Sequence, residues 1–304
     1  MRASVARILG LLAMVGALLT PSSASLDQLG GVLSKVKKTA DDAKKVVEVA
    51  QKLRSGFADL TEEEEYYIGR SVAALILSKY PAYQNAPLVQ YINLVGNAVA
   101  LYSDRPEIYA GYHFQVLDTE EVNALAAPGG LIFVSKGLLR RCQDEEMLGL
   151  ILAHEIGHVA AKHGLQAIKK SRLTEVFTSL GMQAAQQFGP QELAQLTTVF
   201  EGVLSDIVEQ LVERGYSRAS EYEADGLGVT FGVRTGFDPK GIVRFLQTMV
   251  GDKSAASGKG WFKTHPTPEQ RIAGLNKQIA AFGDVPKVDD ARTKRFDQAF
   301  NSLK

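Results

Sequence analysis

One cysteine, Cys142, stands in the 304 residues. A lone cysteine excludes an intrachain disulfide, and a chain of this length can bury enough core to fold without one. Cys142 is expected as a small buried side chain rather than a reactive thiol. An excess of charge is missing too. Lys plus Arg and Asp plus Glu number 34 each, which speaks against a nucleic-acid binder or a polybasic membrane protein. No internal repeat or low-complexity block interrupts the chain. No apolar stretch reaches the roughly 20 residues of a membrane-spanning helix. What is left is ordinary globular composition, 45% hydrophobic and 22% charged, enough for one large or two small domains.

The N-terminus departs from that average. Arg2 and Arg7 precede the apolar run Ile8–Leu19, and the small residues of Pro21-Ser22-Ser23-Ala24 follow. This is the pattern of a secretory signal peptide over residues 1–24, cleaved after Ala24. It implies export, with the periplasm as the expected compartment. With no cysteine near the cleavage site and no adjacent arginine pair, a lipid anchor and the twin-arginine route are not expected. Residues 25–55 read as an amphipathic N-terminal helix, with Val32, Val36, Val46, Val49 and Leu53 at helical spacing.

Thr61 followed by Glu62-Glu63-Glu64-Glu65 marks a helix start, and that helix runs to about Lys79. A second helix covers Leu88–Leu101. The period changes at Tyr109–Leu117, where Tyr112, Phe114 and Val116 alternate with more polar positions as in a strand. Leu131–Ser135 reads as a second strand after Pro128-Gly129-Gly130, and Asn123–Ala127 lies between the two. Asp144 opens a helix that runs to about His163-Gly164. Two or three helices are expected over Ser171–Gly215, as a cap over a cleft or as plain core. Helices follow at Ser217–Gly232, Pro239–Val250 and Pro268–Ala281, with a flexible loop at Asp252–Gly260. The main domain is therefore expected over 56–284. Residues 285–304 are expected as a charged, loosely attached tail.

The Asp144 helix carries His154-Glu155-Ile156-Gly157-His158, an HExxH motif. Residues four apart project from one helical face, so both imidazoles can reach one ion. Glu155 beside them can take a proton from an activated water. A catalytic zinc site uses three protein ligands, so a third must come from elsewhere. His163 is five residues past His158, and five steps turn a regular helix by about 500°, off the shared face. The segment Ser217-Arg218-Ala219-Ser220-Glu221-Tyr222-Glu223-Ala224-Asp225 offers Glu221 and Asp225 four apart on one face, with Glu223 pointing away. Taken alone it would be a solvated acidic helix face. Beside the HExxH it supplies Glu221 as a ligand and Asp225 as a partner for the far nitrogen of a ligand histidine, His154.

Together these residues resemble metallopeptidase family 48, which includes the CAAX prenyl proteases, HtpX, the mitochondrial Oma proteases and the periplasmic BepA-like proteases. The resemblance rests on four segments in order: Val122–Gly130, the HExxH, the Ser-Arg-x-x-Glu-x-x-x-Asp run, and Thr264-His265-Pro266-Thr267-Pro268 with Arg271. It covers about residues 62–280. The chain has neither the membrane spans of some branches nor a helical-repeat domain after the catalytic part.

The resemblance implies a zincin of the gluzincin type. The expected fold is α+β and mostly helical, with a small β-sheet whose edge strand lines the cleft. It implies one Zn2+ per chain on His154, His158 and Glu221, and Glu155 as general base. Substrate would lie along Leu131, Ile132 and Phe133 as an added strand, with Asn123 and Ala124 holding its backbone. His265 could donate to the oxyanion, close the zinc site as a latch, or be a buried structural histidine. Arg218 and Arg271 could pair with acids near the site or stand at the surface, and His113 is a plain strand residue. The expected activity is endopeptidase cleavage of unfolded or misassembled envelope polypeptides, outer-membrane assembly components among the candidate partners. A periplasmic chaperone or assembly factor with latched or absent proteolysis is the alternative.

Overall fold

Helix starts in the computed structural model follow the capping chemistry of the sequence. The structure describes residues 61–170, 208–251, 264–283 and 290–303. The expected signal peptide, the 25–55 helix, residues 171–207 and the 252–260 loop lie outside them. Helix α1 (Glu62–Lys79) begins directly after Thr61, with its acids at the positive end of the helix dipole and Lys79 at the other. Helix α2 (Ala86–Leu101) is capped by Asn85, whose side chain accepts from the Leu88 amide at 3.2 Å. Its buried stripe is Leu88, Ile92, Val95 and Val99. Helix α3 (Glu145–Ala160) starts at Asp144, whose carboxylate accepts from the Met147 amide at 2.7 Å. Every residue of α3 from Glu145 to Val159 is buried, so this helix is the centre of the molecule.

Strands β1 (His113–Leu117), β2 (Ala124–Ala127) and β3 (Leu131–Ser135) form one sheet in the order β1-β3-β2. β1 runs parallel to β3, and β2 antiparallel to it. Alternation places Phe114, Val116, Ala124, Ala126, Ile132 and Val134 in the main core with α2 and α3. Leu117, Leu125, Ala127 and Phe133 face a smaller cluster with Ile68, Val72 and Ile76 of α1. Both faces of the sheet are thus covered, which is why β2 and β3 read as apolar runs.

This topology corrects one expectation. Leu131–Ser135 is the central strand, with backbone partners on both sides, so no substrate strand can add along Leu131, Ile132 and Phe133. The outer strand on that side is β2, which contains Ala124. Being four residues of Ala and Leu, β2 carries little intrinsic strand preference.

After α3 the chain breaks at Lys162, in the left-handed region at φ 57°, and restarts as α4 (His163–Lys170). A π-helical turn (Glu209–Arg214) leads to α5 (Arg218–Arg234), capped by Ser217. Helices α6 (Lys240–Gln247) and α7 (Pro268–Ile279) follow. The expected loose tail is corrected as well. Residues Asp290–Phe300 form helix α8, whose Phe296 and Phe300 are buried in the main core. Its Arg292 donates to Glu146 at 2.9 Å, and Arg295 pairs with Glu145, both at the start of α3. Among the described residues no helix is long and apolar enough to cross a membrane.

Candidate metal centre

Two glycines let α3 and α5 approach closely enough to share a site. A β-carbon on Gly228 would lie 2.9 Å from the backbone nitrogen of His154, and one on Gly157 would lie 3.0 Å from the Ala224 carbonyl oxygen. The crossing sets Glu221 and Asp225 against His154 and His158. At the C-terminal end of α3, beside His158, Arg105 holds the helix in place. It donates to the Val159 carbonyl at 3.2 Å and to the buried Glu65 of α1.

His154 and His158 turn their Nε2 atoms toward one another at 3.1 Å. Glu221 Oε1 is 3.4 Å from His158 Nε2, and Oε2 is 3.6 Å from His154 Nε2. His265 adds a fourth donor, with Nδ1 at 2.5 Å from Glu221 Oε2. One ligand atom from each of the four residues falls within 4.8 Å of all the others, and all four residues are buried. Two donors each about 2.0–2.1 Å from a tetrahedral zinc stand about 3.4 Å apart, so the spacings among His154, His158 and Glu221 suit one ion. Glu221 Oε1 and Glu155 Oε1 are buried with no hydrogen-bond partner among the described residues. A buried carboxylate oxygen in that state lacks compensation that a cation would supply. The donor set fits zinc.

The flanking groups sort the four donors by charge. Asp225 Oδ1 lies 3.0 Å from His154 Nδ1. Arg271, fully buried, forks onto both Asp225 oxygens at 2.6 and 3.0 Å and lies 3.3 Å from His154 Nδ1. Burial and the Arg271 charge pull His154 down, but hydrogen bonds to Asp225 and Glu221 carry it up to about 9. Burial lowers His158 to about 3, and lowers His265 as well. Burial opposes ionisation of Glu221, yet the neighbouring His265 and His158 hold it well below the ordinary carboxylate range. Burial, with the Glu221 charge adding, raises Glu155 to about 7.

Glu155 opens on a small cavity lined by Ala124, Ala126, Tyr216, Thr264 and His265, with room for about one water molecule. Asn123, at the head of β2, is buried, and its Oδ1 has no hydrogen-bond partner among the described residues. Ala124 lines the cavity, whereas Leu131, Ile132 and Phe133 do not. Arg218 is exposed at the start of α5, and His113 is an exposed strand residue. Cys142 is buried, and burial raises its thiol pKa.

Tyr216 escaped sequence reasoning, as did the contacts that His163 and Glu223 make. Tyr216 stacks on His158, ring centroids 4.2 Å apart, and its hydroxyl donates to the Ala126 carbonyl on β2 at 2.8 Å. His163 is no member of the four-donor cluster. Its Nδ1 lies 2.9 Å from His158 Nδ1, and Glu223 lies 3.3 Å from its other nitrogen. The break at Lys162 turns His163 back toward His158, which a regular helix would not do.

A helix-borne histidine pair with an adjacent glutamate, completed by a carboxylate from a crossing helix, is the arrangement of the HExxH metallopeptidases. The chain belongs to peptidase family M48: residues 89–279 match that family's sequence profile. It is 28% identical over 228 residues to the "Beta-barrel assembly-enhancing protease" of Yersinia pestis, covering 72% of this chain and 44% of that protein. It is 25% identical over 223 residues to "Metalloendopeptidase OMA1, mitochondrial" of Bos taurus, covering 72% and 38%. It is 28% identical over 169 residues to "Metalloprotease YcaL" of Escherichia coli (strain K12), covering 56% and 63%. The chain thus spans less than half the length of the first two relatives.

Proposed function

We propose that the chain is a zinc-dependent endopeptidase of exported polypeptides. The observation that carries this is the buried four-donor cluster with the uncompensated Glu155 carboxylate beside it. His154, His158 and Glu221 would hold the ion. Zinc, when bound, supplies Lewis acidity toward the scissile carbonyl and the attacking water. Glu155 takes the proton of that water and passes it to the leaving amine. Asp225, held by Arg271, fixes the ring of His154 and keeps its Nε2 turned inward.

The substrate backbone would lie along β2, with Ala124 and the side chain of Asn123 as its anchors. Backbone pairing there favours extended, unfolded chains with little sequence preference. The signal-like first 24 residues support a periplasmic setting, and the assembly-enhancing relatives support envelope or outer-membrane assembly components as partners. Cleavage of casein that stops with chelator and returns with zinc tests the reading. Glu155→Gln should keep the metal and lose turnover by about 100-fold or more. Full activity in that variant removes Glu155 from the role.

A second reading is favoured by His265 among the donors. A chain latched in this state would act on unfolded polypeptides as a holdase or assembly factor. Binding without cleavage in an unlatched His265 variant would select it.

A further inference from the structure

We propose that His163, backed by Glu223, is the positioning residue for His158, doing for that metal ligand what Asp225 and Arg271 do for His154. The inference rests on the proposed metal centre. His158 turns Nε2 into the donor cluster, 3.1 Å from His154 Nε2 and 3.4 Å from Glu221 Oε1. A neutral His158 that offers this nitrogen to an ion carries its proton on Nδ1. The atom facing that proton is Nδ1 of His163, at 2.9 Å. His163 must then accept at Nδ1 and carry its own proton on Nε2, which faces Glu223 Oε2 at 3.3 Å. The donors run in one direction, from His158 through His163 to a carboxylate, so no tautomer conflicts with another.

The packing supports a fixed geometry. His163 is buried and meets His158 edge to face, with ring centroids 5.0 Å apart and planes at 68°. Tyr216 stacks on the face of His158 at 22°. His158 is thus held on one face by Tyr216 and through its outer nitrogen by His163. Glu223, by contrast, is 60% exposed, so its share is screened by solvent and small.

The test separates acceptor from filler. An asparagine Oδ1 occupies nearly the place of a histidine Nδ1 and can accept from His158, while leucine and alanine cannot. His163→Leu and His163→Ala should weaken zinc binding about 10- to 100-fold in a chelator competition. They should also shift the visible absorption of the cobalt-substituted protein. His163→Asn should recover most of the affinity and the wild-type cobalt spectrum, and Glu223→Gln should cost less than about threefold. Two removal variants are used so that loss of folding in one, checked by thermal unfolding without metal, leaves the other. Removal variants that bind zinc as wild type does, with an unchanged cobalt spectrum, overturn the inference. So does an asparagine variant as weak as the removals. A wild-type chain that takes up neither metal overturns the metal centre itself, and this inference with it.

Discussion

Arg271 and Asp225 form a bidentate ion pair out of contact with solvent. Nε and Nη2 of the arginine donate to the two carboxylate oxygens at 3.0 and 2.6 Å, and the arginine side chain is fully buried. Such a pair adds little net stability over an apolar isostere, but removing one partner strands the other charge. Arg271→Met should therefore destabilise the protein by about 3–5 kcal/mol, measured by denaturant unfolding. Arg218→Met, at an exposed position, should stay within about 0.5 kcal/mol. Equal effects would show that the pair does not hold the two helices.

The same pair predicts an acid transition. Burial opposes the ionised form of Asp225, but Arg271 and His154 lower its pKa from 3.8 to about 2. A carboxyl whose folded pKa is depressed adds stability that is present above its unfolded value and lost as pH falls through the folded one. The metal-free protein should lose about 2 kcal/mol from this group between about pH 4 and pH 2. Asp225→Asn should show a shallower decline over that window in denaturant midpoints. Superimposable pH profiles would refute the assignment.

The legible parts of this fold are those with local causes. Asp144 caps its helix because its carboxylate oxygen satisfies the free Met147 amide three residues on. Glu221 and Asp225 could be paired with the HExxH because helical spacing sets which side chains share a face. Strand order has no such local signature. Leu131–Ser135 reads alike whether central or at an edge, and β2 is too short and too rich in alanine to announce itself. His163 was displaced from its expected direction by one left-handed residue, Lys162, which nothing in its side chain requires. Helix α8 hid because its two phenylalanines are spaced four apart within a charged segment, beyond the 89–279 region that matches the family.

Helix α8 makes a direct prediction. Phe296 and Phe300 stack with centroids 4.0 Å apart, and Phe300 meets Tyr91 edge to face. Phe296→Ala should cost about 3–5 kcal/mol. Phe282→Ala, at a position 41% exposed, should cost far less. A loosely attached tail would leave both variants as stable as the parent.

The α3–α5 crossing can be tested through glycine. A methyl group at Gly228 meets the backbone of His154 at 2.9 and 3.0 Å, and backbone cannot swing aside as a side chain can. Gly228→Ala should push α5 outward, carry Glu221 and Asp225 away from His154, and lower zinc affinity about tenfold or more. At Gly274, in α7, an added β-carbon meets nothing within 4 Å. Gly274→Ala should stabilise the helix by about 0.5–1 kcal/mol. Equal zinc affinity in the two variants would mean that the crossing distance does not set the site.

We propose that His265 decides whether the centre rests open or shut. Its Nδ1 is 2.5 Å from Glu221 Oε2, and its donor atom belongs to the same group as those of His154 and His158. Catalytic zinc sites keep a position free of protein ligands, whereas structural sites fill all four. A fourth donor in this cluster could fill that position as a latch, or stand off the ion and face the substrate carbonyl as an oxyanion donor. His265→Ala should keep one zinc per chain on the three remaining ligands and raise the rate of casein cleavage above that of the parent. A fall in rate with zinc retained would assign His265 to the oxyanion instead. Loss of zinc along with activity would show that the fourth donor is needed to hold the ion, and the latch would have to be abandoned.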